Sequence, residues 1–328
     1  MKRAIAPIGL DVGRRVLKAA QCLPDGRVLT ALVTRSELGL AEDLERVGST
    51  LWRRGFRGRT VVASASEHTA LQATVELPRP ETGAPVRTIA AAELARLHGR
   101  EAKGLETTVV YRDAPADTRP GRGAPAYVFA VEGDDVMADV AALEHGTGSL
   151  RVVRVEAGPV AMARALAFAW GPGAACAIEF GWSRLTVSAS VGGVPIFVRV
   201  LEELGLSRLD EARGGASSVG AFFDRLSEEL ERSAVYGVRE AGGAGPVPTL
   251  LATPPRALGP LIEMVSRLGE SGTAALAVRP TLRLGQGECS GRFARAVGLS
   301  LGARRSFALR GASIREALTR SSGEGVAA

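Results

Sequence analysis

One pattern of residues occurs near the start of the chain and again near its middle, and this repeat restricts the fold more than any other feature. The copies share an apolar residue, an acid, a glycine and a leucine at the same spacing: Leu10, Asp11, Gly13 and Leu17 in the first, and Ile178, Glu179, Gly181 and Leu185 in the second. In each copy a strand ends in an acid, a glycine-bearing turn follows, and a second strand returns. The repeat predicts two similar domains that face each other.

The acid and glycine of each turn suggest a place where a ligand approaches the backbone. Glycine allows close approach, and a carboxylate such as that of Asp11 holds a cation or a water near phosphates. Asp and Gly are also ordinary turn residues. Both interpretations of Asp11 and of Glu179, as ligand-binding acids or as plain turn residues, therefore stay open at this point.

Length and composition indicate a globular protein. A chain of 328 residues suggests about two domains. No apolar run approaches the roughly 20 residues of a membrane span, and we expect no signal peptide, because the N-terminus leads directly into a strand. Cys22, Cys176 and Cys289 are isolated in the sequence, which predicts buried free thiols in a reducing cytoplasm.

The net charge is +6, and the basic residues are almost all arginine. The densest basic segment is Arg53-Arg54-Gly55-Phe56-Arg57-Gly58-Arg59. Such a segment is either a solvated helix end and loop or a contact for an acidic surface or lipid headgroups. Few aromatic residues lie among the arginines, so we expect no nucleic acid partner.

The pattern of strands and helices predicts an α/β fold in four parts. Residues 1–77 form the first unit, and residues 78–149 form an inserted small α+β subdomain. Residues 150–303 form the second unit, with a helical and loop insertion at about 201–245. We expect residues 304–328 to be a flexible polar tail.

Seven short motifs follow one another along the chain. They are Ile8-Gly9-Leu10-Asp11-Val12-Gly13, Val75-Glu76-Leu77-Pro78, Ala92-Glu93-Leu94-Ala95, Val152-Val153-Arg154-Val155-Glu156, Ile178-Glu179-Phe180-Gly181, Glu229-Leu230-Glu231-Arg232-Ser233 and Ala294-Arg295-Ala296-Val297-Gly298-Leu299. In order and spacing they resemble the type IV pilus assembly PilM family, which is related to FtsA and to the cytoplasmic domain of type II secretion GspL. The resemblance covers roughly residues 7–303.

The resemblance implies a duplicated actin/sugar-kinase/Hsp70-like (ribonuclease H-like) fold with four subdomains around a nucleotide cleft. Asp11, Glu156 and Glu179 would then occupy catalytic positions, and Asp11 and Glu179 would hold magnesium if a nucleotide binds. The residues that would contact ATP are Gly13, Arg14, Lys18, Gly181, Ser183, Glu229, Arg232 and Thr253.

The sequence departs from the family at three of the places that a nucleotide should contact, namely the two glycine turns and the adenosine loop. Arg14 and Arg15 follow Gly13, and the large Trp182 follows Gly181, where the family has small or hydroxyl residues. Glu179 is longer than the family's aspartate, which would shift a metal site. The adenosine loop reads Ala252-Thr253-Pro254-Pro255, and proline removes both flexibility and a backbone donor. We therefore expect a degenerate site, at which ATP and magnesium bind weakly or not at all.

The function implied by the resemblance is that of a cytoplasmic scaffold at the inner membrane, in a type IV pilus or type II secretion platform. Its partner would be a PilN-like or GspL/GspM-like membrane protein whose peptide lies in a groove beside the insert, and self-association is a further expectation. Near that groove we expect Leu77, Pro78, Glu93 and Tyr127. Such a protein would be a pseudo-ATPase.

Other interpretations remain. The main alternative is an active actin-fold ATPase that cycles with ATP and magnesium in pilus assembly or cell division. A sugar kinase of the same fold would need a catalytic Asp that the sequence does not identify. Glu156 is alternatively a strand-end acid in a salt bridge, and Glu228, Glu229 and Arg232 are alternatively a solvated helix face with internal pairs. The histidines are scattered and are assigned no role.

Overall fold

The computed structural model describes most of the chain. The described residues are 5–36, 40–65, 70–111, 123–147, 150–213, 216–240, 247–270, 276–284 and 287–302. His68, the predicted flexible tail at 304–328 and most of the Pro/Gly-rich segment 113–125 lie outside these ranges.

Strands and helices alternate along the chain, as the sequence predicts. The strands are β1 (Ile8–Val12), β2 (Val16–Cys22), β3 (Val28–Thr34), β4 (Thr60–Ser64), β5 (Leu71–Leu77), β6 (Leu105–Tyr111), β7 (Ala124–Glu132), β8 (Arg151–Glu156), β9 (Ala174–Phe180), β10 (Leu185–Val191), β11 (Val194–Leu201), β12 (Val247–Ala252), β13 (Leu276–Arg279), β14 (Thr281–Leu284) and β15 (Gly287–Ser290). The helices are α1 (Leu40–Arg53), α2 (Val86–His98), α3 (Gly133–Thr147), α4 (Gly158–Trp170), α5 (Leu206–Ala212), α6 (Ala216–Glu240), α7 (Pro255–Glu270) and α8 (Ala294–Leu301).

Two five-stranded sheets with the same strand order form the framework. The first sheet has the order β3-β2-β1-β4-β8, and the second has the order β11-β10-β9-β12-β13. In each, an antiparallel hairpin is extended by a parallel strand, because β1 pairs parallel with β4 and β9 pairs parallel with β12. The duplication that the repeat predicts is therefore confirmed.

The two acidic hairpins have equivalent turns. The N–H of Gly13 donates to the carbonyl of Val16 over 3.0 Å, and the N–H of Gly181 donates to the carbonyl of Arg184 over 2.9 Å. In each case the glycine binds the carbonyl three residues later, so each turn is closed by its own backbone. The two sequences thus encode one local structure twice.

The insert is a three-stranded sheet in the order β5-β7-β6, covered by α2 through Leu94. Strand β5, which pairs with β7 in this sheet, begins at Leu71, before residue 78. Helix α3 packs on the first sheet through Leu143. The hydroxyl of Thr74 donates to the carbonyl of Ile196 over 3.2 Å, which links the insert to the second domain.

Helix α8 is buried along its whole length between α4 and β1. A Cβ added at Gly298 would lie 1.7 Å from the carbonyl oxygen of Ala161, and one added at Gly9 would lie 1.9 Å from that of Ala296. The two glycines therefore allow α8 to approach both neighbours at backbone distance. This close packing fixes the position of any side chain that α8 directs between the sheets.

Some elements differ from the sequence-based expectation. Strand β5 and the β14–β15 hairpin lie in segments for which we predicted no strands. Cys22, Cys176 and Cys289 are free and buried, as predicted, and burial raises the pKa of the Cys176 thiol to about 12. Within the described residues, no helix is both long enough and apolar enough to cross a membrane.

Candidate functional site

The strand register brings an acid to the end of β1 and another to the end of β9. Asp11 faces Lys18 across the β1–β2 pair, and Glu179 faces Thr186 across the equivalent β9–β10 pair. The second hairpin thus has a hydroxyl where the first has an ammonium group. Cross-strand neighbours of this kind lie close enough for side-chain contact, so Lys18 is placed beside Asp11 by the hairpin itself.

Two acids and two bases form a cluster between the hairpins, which we call the acid–base cluster (Asp11, Lys18, Glu179 and Arg295). Lys18 Nζ lies 2.9 Å from Asp11 Oδ2 and 3.8 Å from Glu179 Oε1. Arg295 Nη2 lies 2.5 Å from Glu179 Oε2, and its Nη1 lies 3.6 Å from Asp11 Oδ1. Each base therefore contacts both acids, and the formal charges within the cluster cancel.

Asp11 is ionised within this cluster. Asp11 is only 3% exposed, and burial alone would raise its pKa, but the charges of Lys18 and Arg295 together with hydrogen bonds from Lys18 and Ser64 lower it overall. Ser64 contributes, because its hydroxyl donates to Asp11 Oδ1 over 3.3 Å while accepting the N–H of Val12 over 3.0 Å. Strand β4 thus supports the carboxylate from a third side.

Lys18 is correspondingly held in its protonated form. Burial and the nearby charge of Arg295 lower its pKa, whereas the charges of Asp11 and Glu179 raise it, and the net direction is upward. Asp11 is therefore a carboxylate and Lys18 an ammonium group at neutral pH. Neither of these two side chains accepts or donates a proton near pH 7.

The residues that follow the two glycines contact each other. The guanidinium carbon of Arg15 lies 4.5 Å from the centre of the Trp182 ring, which is a cation–π distance. The contact joins the first hairpin turn to the second. Arg14, which precedes Arg15, is exposed.

The backbone of the second turn is covered by the segment that begins α5. Leu206 and Ser207 donate their N–H groups to the carbonyls of Gly181 and Trp182 over 3.0 and 2.8 Å. A Cβ at Gly205 would lie 2.3 Å from the carbonyl carbon of Ser183, so this segment lies directly against the turn. Ser183 is therefore close-packed on its backbone side.

The loop after β12 is where the resemblance placed the adenosine. Ala252, the last residue of β12, pairs with Glu179, so the loop starts beside the cluster. Thr253 is 3% exposed, and its hydroxyl has no hydrogen-bond partner among the residues that the structure describes. Pro254 follows it and Pro255 begins α7, as expected for proline at the first helical position.

Glu156 takes no part in the acid–base cluster. Its carboxylate lies 2.9 Å from Arg154 and 2.7 Å from Arg164. These arginines in turn donate to the carbonyls of Gly302 and Gly298, at the C-terminal end of α8. Glu156 therefore orients two arginines at a helix end where positive charge is favourable, which agrees with the salt-bridge alternative.

Glu229 and Arg232 lie on α6, within a network of ion pairs. Glu229 binds Arg199 of β11 over 2.5 Å, and Arg232 binds Glu228 over 2.5 Å. Arg232 also lies 3.6 Å from Glu229. The ion pairs within α6 that are expected of a solvated helix face are therefore present, and Arg199 of β11 adds one further ion pair to them.

The four residues expected near a partner groove lie in the insert. Leu77 and Tyr127 are each 1% exposed, so they form its interior. Pro78 accepts a hydrogen bond from the Tyr111 hydroxyl, and Glu93 pairs with Arg96 on the exposed side of α2.

Arg295 is the member of the acid–base cluster for which no role was predicted from the sequence. It is 9% exposed and comes from a helix whose other residues are also buried. The sequence feature that could have revealed this role is the single arginine in the otherwise apolar motif Ala-Arg-Ala-Val-Gly-Leu, because a buried cation requires acidic partners. Within the described residues, no group of three or more His, Cys, Asp or Glu side chains is arranged to hold a metal ion.

The fold agrees with that of a solved structure described as the PilM–PilN type IV pilus biogenesis complex. The match has a TM-score of 0.69 at 18% identity and covers 90% of this chain and 98% of that one. The chain has the actin-like fold. The fold class predicted from the sequence is confirmed.

Other solved structures match more weakly. The ethanolamine utilization protein EutJ from Carboxydothermus hydrogenoformans has a TM-score of 0.48 at 12% identity, with 92% of this chain and 90% of that chain covered. The archaeal actin homolog Ta0583 has a TM-score of 0.44 at 14% identity, with 92% and 100% covered. No protein-family model matches the sequence, and no curated protein matches it.

Proposed function

We propose that this protein is a cytoplasmic actin-like scaffold of a type IV pilus or type II secretion platform, and that it binds a peptide of a PilN-like inner-membrane protein. The observation that carries the proposal is the shared fold with the PilM–PilN complex structure over 98% of that chain, at a TM-score of 0.69. A match that spans both domains and the insert supports a common architecture as well as a common core.

We further propose that the nucleotide site is degenerate. In the acid–base cluster, Asp11 and Glu179, the acids that would hold magnesium, already contact Lys18 and Arg295. A metal would have to displace Arg295 from Glu179, and breaking a buried ion pair costs about 3–5 kcal/mol. This cost supports weak or absent binding of magnesium and ATP.

The contact between Arg15 and Trp182 supports the same proposal. Phosphates in this fold would approach the two glycine turns, and here the side chains after those turns meet at 4.5 Å. Binding would require their separation as well as displacement of Arg295. The protein would then act by binding partners without an ATPase cycle.

For the partner peptide, the insert is the proposed site. Its sheet has two edge strands, β5 and β6, and edge strands accept extended peptides by β-augmentation. Leu77 and Tyr127, as buried residues, would shape the groove from within, while Glu93 lies on the outer side of α2. GspL/GspM-like partners and self-association are further proposals of the same kind.

Co-purification tests the scaffold proposal. The full chain is expressed with a tagged PilN-like inner-membrane protein from the same genome, and the tagged protein is purified from a detergent extract. We expect the chain to co-purify only when the partner keeps its N-terminal segment. Equal recovery with and without that segment would contradict the proposal.

One observation favours the alternative of an active ATPase. Asp11 stays ionised, with the Ser64 hydroxyl 3.3 Å away, at the end of β1. These are groups that could attract a hydrated metal if Arg295 moved away. The binding measurement at the end of the Discussion separates the two functions.

A further inference from the structure

A cluster of exposed basic residues and two exposed apolar ones lies far from the acid–base cluster. We call it the Trp52 face, and it consists of Ile5, Trp52, Arg53, Arg54, Arg57, Arg59 and Arg151, all exposed. Trp52 is 41% exposed and Ile5 is 49% exposed. We propose that the Trp52 face binds directly to the surface of a membrane containing anionic lipids.

The topology gathers these residues at one edge of the first sheet. Strands β1, β4 and β8 are parallel, so their N-terminal ends open on the same edge. Ile5 precedes β1, Arg59 precedes β4, and Arg151 begins β8, with its N–H donating to the carbonyl of Arg59 over 2.7 Å. The acid–base cluster lies at the opposite ends of these strands, about 17 Å away for five residues of strand.

The loop between α1 and β4 is held rigidly with its arginines outward. Gln21, which is fully buried, donates to the carbonyls of Ala6 and Arg57 over 2.8 and 2.6 Å and accepts the N–H of Arg57 over 2.8 Å. Phe56 is 4% exposed and packs in the core of the first domain. The arginine side chains are thus presented by a fixed backbone, which lowers the entropy lost on binding.

The charge of the Trp52 face is uncompensated. In the described part of the chain, its five arginines form no ion pair, and Arg53 instead donates to the carbonyl of Ser49. Glu144 on α3 forms no ion pair with these arginines in the described residues, and its carboxylate accepts the N–H of Val152 over 3.0 Å. On other helices, exposed arginines pair with acids of the same helix: Arg96 with Glu93, Arg208 with Glu211, and Arg232 with Glu228.

The combination favours a lipid surface over nucleic acid. Arginines attract the phosphates of either partner, but a stacking surface for nucleic acid uses several aromatic side chains, and this face exposes Trp52 alone among its aromatic residues. Tryptophan beside basic residues is typical of a membrane interface, where the indole lies at the level of the headgroups. The exposed Ile5 adds apolar area at the same edge.

Sedimentation with lipid vesicles tests the proposal on the purified full chain, without any protein partner. We expect binding to vesicles of phosphatidylglycerol and phosphatidylethanolamine and none to vesicles of phosphatidylcholine. Raising the salt from about 50 mM to about 500 mM should release the protein, because screening shortens the reach of the charges. Failure to bind the anionic vesicles at low salt would overturn the proposal.

A matched pair of variants locates the binding surface. Arg54→Ala, Arg57→Ala and Arg59→Ala together should weaken binding by about 100-fold, at roughly fivefold for each arginine. The control removes three exposed arginines of the second domain, Arg208, Arg225 and Arg267, and should bind as the unmodified chain does. Equal loss in both variants would indicate attraction by net charge alone and would overturn the proposal.

Fluorescence reports on Trp52 itself. The emission should shift to the blue when anionic vesicles are added, and Trp52→Phe should abolish that shift. A blue shift that persists in this variant would overturn the proposal. It would also be overturned if single-stranded DNA binds at lower concentrations than the vesicles do and the triple arginine variant loses DNA binding. These measurements need no protein partner. The scaffold proposal can therefore fail while vesicle binding is observed, and vesicle binding can fail while the scaffold proposal holds.

Discussion

At the scale of single residues, the most informative feature is that the two acids of the repeated hairpins are neutralised from within the chain. Lys18 comes from the strand next to Asp11, whereas Arg295 comes from a helix more than a hundred residues beyond Glu179. The cluster ties together β1, β2, β9 and α8. It therefore links the two halves of the duplicated fold by charge.

Removing Arg295 tests the strength of that link. Arg295→Leu leaves buried Asp11 and mostly buried Glu179 with one base, and we expect a loss of about 3–5 kcal/mol in the free energy of unfolding. Arg283→Leu, at an exposed position on β14, is the control and should change it by less than about 0.5 kcal/mol. Urea unfolding of both variants measures the difference.

The same variant tests the relation between Arg295 and magnesium. Without the guanidinium, Asp11 and Glu179 would share only Lys18, so millimolar magnesium should raise the melting temperature of Arg295→Leu and leave that of the unmodified chain unchanged. Calcium and sodium at equal ionic strength serve as controls. A rise of equal size in the unmodified chain would show that Arg295 does not occupy a metal position.

The pKa shifts predict how stability depends on pH. The pKa of Asp11 is lowered in the folded chain, so its contribution is complete above about pH 4, the ordinary value, and is lost as the pH falls through the folded pKa. The pKa of Lys18 is raised, so its contribution is complete below about pH 10 and is lost as the pH rises through the folded pKa.

Comparison of the unmodified chain with Asp11→Asn isolates the acidic part of this dependence. The difference in free energy of unfolding should be constant between about pH 5 and about pH 9 and should shrink below about pH 4. Chemical denaturation at a series of pH values measures it. A difference that stays the same at pH 3 would contradict an ionised Asp11 in the folded state.

Part of this cluster could be predicted from the sequence. The spacing of Asp11 and Gly13 predicts the turn, and Lys18 follows on the returning strand, so their proximity is a local consequence of the hairpin. The contact of Arg295 with Glu179 depends on how α8 packs between the domains, and no local pattern encodes that. The Arg15–Trp182 contact has the same origin, because its two residues come from different domains.

At the scale of elements, strands and helices with strong periodicity were predicted well, and short or unusual ones were not. The four-residue strands β14 and β15 contain too few residues for a pattern to be recognised. Strand β5 alternates clearly, but its last residues were interpreted as the boundary of the insert. Its place in the insert's sheet follows from pairing with β7, in which Leu71 pairs with Ala130 and Leu77 pairs with Ala124, far along the chain.

The packing of α8 gives a prediction at this scale. Gly298→Ala would place a methyl group 1.7 Å from the carbonyl oxygen of Ala161, which the backbone must move to accommodate, at a cost of about 1–3 kcal/mol or more. Gly220 lies exposed in α6 with open space around it. Gly220→Ala should therefore stabilise the chain by about 0.5–1 kcal/mol.

Thermal unfolding of the two glycine variants provides the measurement. The chemical change is the same at both positions, so opposite signs isolate the effect of close packing from that of helix propensity. Similar melting temperatures for the two variants would contradict the tight approach of α8 to α4.

At the scale of the whole molecule, the duplicated sheets, the insert and α8 combine into an actin-like framework whose central acids are already paired. The insert contacts the second domain through the hydrogen bond from Thr74 to Ile196. The insert and the second domain are therefore linked by this contact as well as by the chain. The two partner surfaces that we propose, the insert edges and the Trp52 face, lie on different parts of the molecule, so both could be occupied at the same time.

The most direct test of the central claim is the melting temperature of the full chain with and without millimolar ATP and magnesium. A ligand that binds the folded state raises the melting temperature. We predict no rise, because Arg295 pairs with Glu179 and Arg15 contacts Trp182, and under our proposal both contacts must break before a nucleotide binds. A rise that depends on both ATP and magnesium, and that Asp11→Ala abolishes, would contradict the account and favour an active ATPase.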